Sequence, residues 1–237
     1  MVALGSRALL LHQGQRDAYA RFMQVTKREH ACLVIEKADA RLVIDPGSYT
    51  LPVDDALGVV AVVITHEHGD HWTTEQIARI LEKNPDARIF GPAGVATAVA
   101  RADADFVVET VEHGVTIEVE PFTFEFFGST HAVIHESIPV IDNVGVLVNG
   151  SVYYPGDSYT LPDRPVEVLA APIGAPWLKV GDVMDFVIAV KPKSTIPVHE
   201  MVLSVIGKDL ANRLVGMAAA QCGSEFTVLQ PGESLSV

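Results

Sequence analysis

The stretch from Val59 to Thr65, VVAVVIT, is apolar at every position but the last. A strand with no polar alternation is buried on both faces, so this run predicts a central strand with material packed above and below it. Two shorter β-rich runs precede it, HACLVIEK (30–37) and ARLVIDPG (40–47), each ended by turn residues. After it the period changes from two to 3.6. In TTEQIARILEKNP (73–85), Thr73 stands as an N-cap with Gln76 three residues on, Ile77, Ile80 and Leu81 share a face, and Asn84-Pro85 stops the helix. ARIFGP (87–92) predicts a strand, GVATAVARA (94–102) a short helix and FVVETV (106–111) another strand.

From 115 to 127 the pattern alternates strictly, with Val115, Ile117 and Val119 on one face and Glu118 and Glu120 on the other. That predicts antiparallel strands with one wetter face. NVGVLVNG and SVYYPGD follow as a pair joined at the VNGS turn. The remainder reads as strand VEVLAAPI, loop GAPWLK, helix VGDVMDFVIAV, strand STIPVHE, a helix over about 204–221 stopped by Gly223, and a last strand FTVLQP. Strands in both halves with helices between them predict an α/β (α+β) chain of two sheets covered by helices. No repeat or low-complexity linker divides it, so residues 23–237 are expected to form a single domain, with 1–22 as an N-terminal extension, loosely held or helical.

Charge narrows the partners. Thirty acidic against seventeen basic residues give a net charge of -13, which repels phosphate backbones, so no nucleic-acid partner is expected. No apolar run reaches the roughly 20 residues of a membrane span. The two cysteines, Cys32 and Cys222, match no disulfide or Cys-x-x-Cys spacing and read as reduced thiols of a cytoplasmic protein.

The chemistry concentrates in ITHEHGDHW (64–72), where His66, His68, Asp70 and His71 crowd the junction between the buried strand and the helix. Imidazoles and a carboxylate suit borderline divalent metals, and His66 and His68, two apart on extended backbone, point the same way. Asp70 and His71, past the bend at Gly69, can face a second ion. A two-metal site needs ligands from later segments, and His131 in GSTHAVIHE, Asp157 in YYPGDS and His199 in IPVHE each lie just past an apolar strand.

HEHGDH followed by an isolated His, a GD at a strand end and a later PVH resembles the metallo-β-lactamase superfamily. The resemblance spans about residues 24–231. With the opening HACLVIE...LVIDPG it is most similar to the compact branch that includes ascorbate-phosphate lactonase and N-acyl-phosphatidylethanolamine phospholipase D. The resemblance implies a four-layer αββα sandwich and two divalent ions, zinc by default with manganese or iron as alternatives. It implies that His66, His68 and His131 hold one ion, that Asp70, His71 and His199 hold the other, and that Asp157 bridges them. HAVIH offers two histidines where one ligand is needed; His131, closest to the Gly-Ser-Thr turn, is preferred, and His135 is left as a candidate proton donor to the leaving group.

The implied activity is hydrolysis of a phosphodiester, phosphorylated lactone or other small ester by a hydroxide shared between the ions and oriented by Asp70. The alternative is a metal-dependent binding or sensor protein without turnover. The partner is then a small-molecule substrate, and a homo-oligomer is compatible with the sequence. Four weaker candidates complete the site. Asp45 either orients a ligand imidazole or makes a turn before Pro46. His30 is either functional or packed. Trp177 and Lys179, in the loop after a buried strand, either line the substrate pocket or, for Trp177, anchor that loop.

Overall fold

The computed structural model describes residues 22–237, so the extension expected over 1–22 lies outside the described residues except for Phe22. The first sheet contains β1 (Met23–Lys27), β2 (Leu33–Lys37), β3 (Ala40–Ile44), β4 (Val59–Val63), β5 (Arg88–Gly91) and β6 (Glu109–Thr110). The second contains β7 (Thr116–Val119), β8 (Phe122–Phe127), β9 (Gly145–Val148), β10 (Val152–Tyr154), β11 (Val168–Pro172), β12 (Ser194–Val198) and β13 (Glu225–Phe226). The chain then returns to the first sheet, where β14 (Ser234–Ser236) pairs antiparallel with β1. Spatial order is 14-1-2-3-4-5-6 in one sheet and 13-12-11-10-9-8-7 in the other.

The helices among the described residues are α1 (Thr74–Lys83), α2 (Ala93–Arg101), α3 (Val180–Val190) and α4 (Val205–Cys222). α1 begins as its sequence predicts, with the Thr73 side chain accepting from the Gln76 N–H. α4 ends at Gly223, whose φ of 79° is the left-handed stop that glycine adopts without a Cβ penalty.

β4 explains the layering. Ala61 and Val63 face the core between the sheets, where they join Ile44, Phe124, Val146 and Val198. Val62 and Ile64 face the other way, onto Ile77 and Ile80 of α1 and Val95 of α2. The second sheet repeats the arrangement, with Leu147 and Leu169 packed under Val183 and Val187 of α3 and Val215 of α4. Three apolar layers between four layers of backbone make the αββα sandwich. The hairpin between β9 and β10 turns at Asn149 and Gly150, both at positive φ (50° and 64°), the combination that matches the twist of two-residue hairpins.

Two predicted elements come out differently. FVVETV contributes only Glu109–Thr110, and FTVLQP only Phe226, which with the preceding Glu225 makes a short edge strand like the first. Beyond the strands the apolar residues divide, with Val108, Val111 and Leu229 buried and Val107 and Val228 exposed.

Candidate metal centre

Every polar group of the site leaves the same edge of the two sheets. Asp45 follows β3, the cluster from His66 to His71 follows β4, His131 follows β8, Asp157 follows β10, Trp177 follows β11 and His199 follows β12. Strand ends hold such groups rigidly while the loops beyond them remain free to shape a pocket.

One group consists of His66, His68 and His131, whose ligand atoms lie within 4.8 Å of one another. His66 Nε2 is 3.1 Å from His68 Nδ1. The opposite nitrogen of His66 is 3.1 Å from Thr65 Oγ1, and that hydroxyl gives its proton to Asp45 Oδ2 at 2.7 Å. The hydroxyl therefore accepts from His66 Nδ1–H, which leaves a lone pair on Nε2. His131 donates from Nδ1 to the Ala132 carbonyl at 2.5 Å, again leaving Nε2 free. Burial, together with the neighbouring imidazoles of His71 and His131 respectively, holds His66 and His68 below the usual histidine range, so both rings are neutral near pH 7.

A second group gathers His30, Asp70, His71 and His199 within the same limit, and Asp157 joins His66 and His71 in a third. His71 donates from Nδ1 to Asp45 Oδ2 at 2.7 Å, and His199 from Nδ1 to the Gly174 carbonyl at 2.6 Å. Their Nε2 atoms then face each other at 3.1 Å, and Asp157 Oδ1 lies 3.3 Å from one and 3.2 Å from the other. Two lone pairs cannot approach so closely unless something positive lies between them. In the metal-free chain a proton serves. Burial opposes charge on His199, but Asp157 outweighs it and pushes the ring up to about 9. His71 is raised for the same reason, with burial overcome by Asp157 and Asp45.

Divalent cations fit this donor set. His131 Nε2 and Asp157 Oδ1 are buried without a hydrogen-bond partner, a costly condition that a cation removes. Each of four rings has its second nitrogen engaged, by a hydroxyl, two carbonyls and a carboxylate, which is the way metal-ligating imidazoles are oriented. Asp45 and His199, with φ of 47° and 61°, hold strained left-handed conformations that non-glycine residues keep where the surroundings over-determine them.

The β-lactamase superfamily domain matches residues 24–199, more than half of the chain. This chain belongs to the metallo-β-lactamase superfamily. It is 32% identical to Protein Rv0786c of Mycobacterium tuberculosis, across 90% of this chain and 98% of that one. It is 25% identical to a UPF0173 metal-dependent hydrolase of Pyrococcus furiosus, across 91% of this chain and all of the other. Among solved structures, the metallo hydrolase Igni18 of Ignicoccus hospitalis superposes with a TM-score of 0.68 at 18% identity, covering 91% of this chain and 98% of that one, a likeness of fold. The chain is a metal-dependent hydrolase of this superfamily, and its two sheets and four described helices are the superfamily's sandwich.

Within the superfamily scaffold, all seven residues expected as ligands converge. The weaker candidates divide. Asp45 spends both carboxylate oxygens on orientation, Oδ1 accepting from the Thr65 N–H at 2.8 Å and Oδ2 from Thr65 and His71. His30 is buried and accepts the Met201 N–H on Nδ1 (3.2 Å), so it donates from Nε2 to Asp70 at 3.1 Å. The indole of Trp177 donates to Asp157 Oδ2 at 2.8 Å, so it anchors that carboxylate as well as its loop.

Two expectations are corrected by position. His135 is exposed with Nδ1 accepting the Ser137 N–H at 3.1 Å, and it belongs to none of the close-set groups. Lys179 is 79% exposed and pairs with Asp182 rather than with a carboxylate of the cluster.

Sequence reasoning missed Thr65, although it stands inside ITHEHGDHW, and Asn143, whose Oδ1 accepts the Asp157 N–H at 3.0 Å. It also missed Gly47. A Cβ there would lie 1.8 Å from the Asp70 carbonyl oxygen, so the loop carrying Asp70 and His71 can rest against residue 47 only if it is glycine. The PG step after Asp45 was the available signal.

Proposed function

We propose that this chain is a binuclear hydrolase of phosphodiesters, phosphorylated lactones or other small esters, with His66, His68 and His131 holding one divalent ion and Asp70, His71 and His199 the other. Asp157 lies between the two sets. Zinc is the first choice for so many imidazoles, with manganese or iron as alternatives for the same donors. The observation that carries the reading is the pair of Nε2 atoms of His71 and His199, lone pairs inward at 3.1 Å, beside the unpartnered Oδ1 of Asp157.

Bound ions would lower the pKa of a shared water from about 15.7 towards 7 and polarise the substrate's carbonyl or phosphoryl oxygen. The protein's own groups supply position. Asp157 has a side chain only 4% exposed and is fixed by Trp177, so it sets the spacing. Asp70 is 25% exposed and is the carboxylate of the set that solvent reaches. Burial raises its pKa, but hydrogen bonds from His199 and His30 outweigh that and hold it well below the usual carboxylate range. It is therefore an anion at every working pH and can accept a hydrogen bond from the attacking water. His30, with its proton fixed on Nε2, keeps Asp70 turned towards that place.

The test is a panel of chromogenic esters and phosphodiesters presented to chelator-stripped protein reloaded with zinc or manganese, metal content being measured on the same samples. Asp157→Ala should lose at least one metal per chain and nearly all turnover. Full metal occupancy with undiminished turnover in that variant would remove Asp157 from the centre.

A further inference from the structure

Beside the three-histidine group lies a cavity of about 320 Å³, within the range of small-molecule sites. His68 and His131 form part of its wall, so whatever occupies it touches that half of the centre. Most of the remaining wall comes from the loop after His131, through Ile134, Ile138, Pro139, Val140 and Ile141. Glu67 is the one carboxylate there, and neither lysine nor arginine lines it among the described residues. Of its lining residues, Ile138 and Val140 are 45% and 51% exposed, apolar surface left open next to a polar site.

Anion recognition elsewhere in proteins uses Arg or Lys forks or the N–H groups of a helix start. A helix start is close by, that of α2. Its Gly94 N–H is already given to the Asp142 carboxylate at 2.8 Å, and a Cβ on Gly94 would lie 2.7 Å from Glu67 Oε2. The protein's own carboxylates thus occupy the position where a phosphate would bind, on a chain of net charge -13.

We propose, resting on the hydrolase reading above, that this cavity takes an uncharged aliphatic chain, and that the substrate class is a neutral carboxylic ester or lactone with an acyl or alkyl tail. In the reaction, water oxygen forms a new bond to the acyl carbon and the ester C–O bond breaks. The alkoxide leaves with a proton from that water, giving acid and alcohol. Ile138 and Val140 set chain-length specificity.

Two measurements on metal-loaded protein test the class separately from the activity. The first is hydrolysis of p-nitrophenyl acetate, butyrate, hexanoate and octanoate beside bis-p-nitrophenyl phosphate. The second is calorimetric binding of straight-chain alkyl hydroxamates of two to eight carbons, which needs no turnover. A buried methylene contributes enough for about a three- to fourfold gain each, so kcat/KM and hydroxamate affinity should both rise roughly a hundredfold from two to six carbons. In Ile138→Lys, with metal content and melting checked on the same sample, both slopes should flatten.

Faster hydrolysis of the phosphodiester than of every carboxylic ester, or flat series in both measurements, overturns the proposal and leaves the hydrolase reading standing. A steep hydroxamate series with no turnover of any ester keeps the aliphatic cavity and overturns the hydrolase reading.

Discussion

Asp45 touches no substrate in this reading, yet changing one of its oxygens to nitrogen should disable half of the centre. Its carboxylate accepts three hydrogen bonds while fully buried, from the Thr65 N–H, the Thr65 hydroxyl and His71 Nδ1–H. In Asp45→Asn the amide NH₂ cannot face the Thr65 backbone N–H, because both are donors. It must therefore take the Oδ2 position, opposite His71. To accept from it, His71 has to carry its proton on Nε2, where the lone pair for the ion is required. Loss of such an orienting partner typically costs 10- to 100-fold in metal affinity, about 1.4–2.8 kcal/mol at roughly 1.4 kcal/mol per tenfold. Competition against a chromogenic chelator measures the affinity, and ¹⁵N-edited NMR of the imidazoles reports which nitrogen carries the proton. Metal binding by Asp45→Asn within about twofold of the parent, or a His71 proton that stays on Nδ1, would refute this role for Asp45.

Three further outcomes follow from the same geometry. Trp177→Phe keeps an aromatic ring at the loop but deletes the N–H to Asp157, and a hydrogen bond to a charged group contributes about 1.5–3 kcal/mol; metal affinity should fall about tenfold or more, with little change in the far-UV spectrum. Gly47→Ala forces its Cβ into the Asp70 peptide, so the melting temperature should drop by an amount equivalent to about 1–3 kcal/mol or more, and metal content with it. In the metal-free chain His199 is raised from 6.5 to about 9, so the folded state binds more protons than the unfolded one within that window. The stability it contributes is complete below pH 6.5 and is lost as pH rises through about 9. Metal must displace the same proton, so apparent metal affinity should rise over that window, which titrations in buffers of different ionisation enthalpy will show as proton release.

Much of this fold was legible because its strongest signals are local. The 3.6 period and the Thr73 cap place α1, the two-sided apolar run places β4, and the Asn-Gly pair places the hairpin between β9 and β10. The β1–β14 pairing was not legible. SLS near the end of the chain is a half-exposed edge strand held by backbone hydrogen bonds to residues more than 200 positions away, and backbone bonding leaves no mark on residue type. The site divides in the same way. His66, His68, Asp70 and His71 announce themselves by crowding, and His131, Asp157 and His199 by standing at strand ends. Thr65 and Asn143 act through hydrogen bonds to partners that only the fold brings near, and Gly47 through one close approach, and neither leaves a pattern along the chain. His135 stood near enough to His131 in sequence to compete with it, but the loop carries its ring out to Ser137.

The proposed ligand set is also divided between the sheets. His66, His68, Asp70 and His71 come from the first, and His131, Asp157 and His199 from the second, with more than 130 residues between the outermost members. Cations held by both sets at once would act as rivets across the open edge of the sandwich. They bind only after the sheets have met, and they add their binding free energy to the closed form alone. Metal supply would then govern how long the two halves stay together, and with that how long the chain survives proteolysis, independently of any turnover.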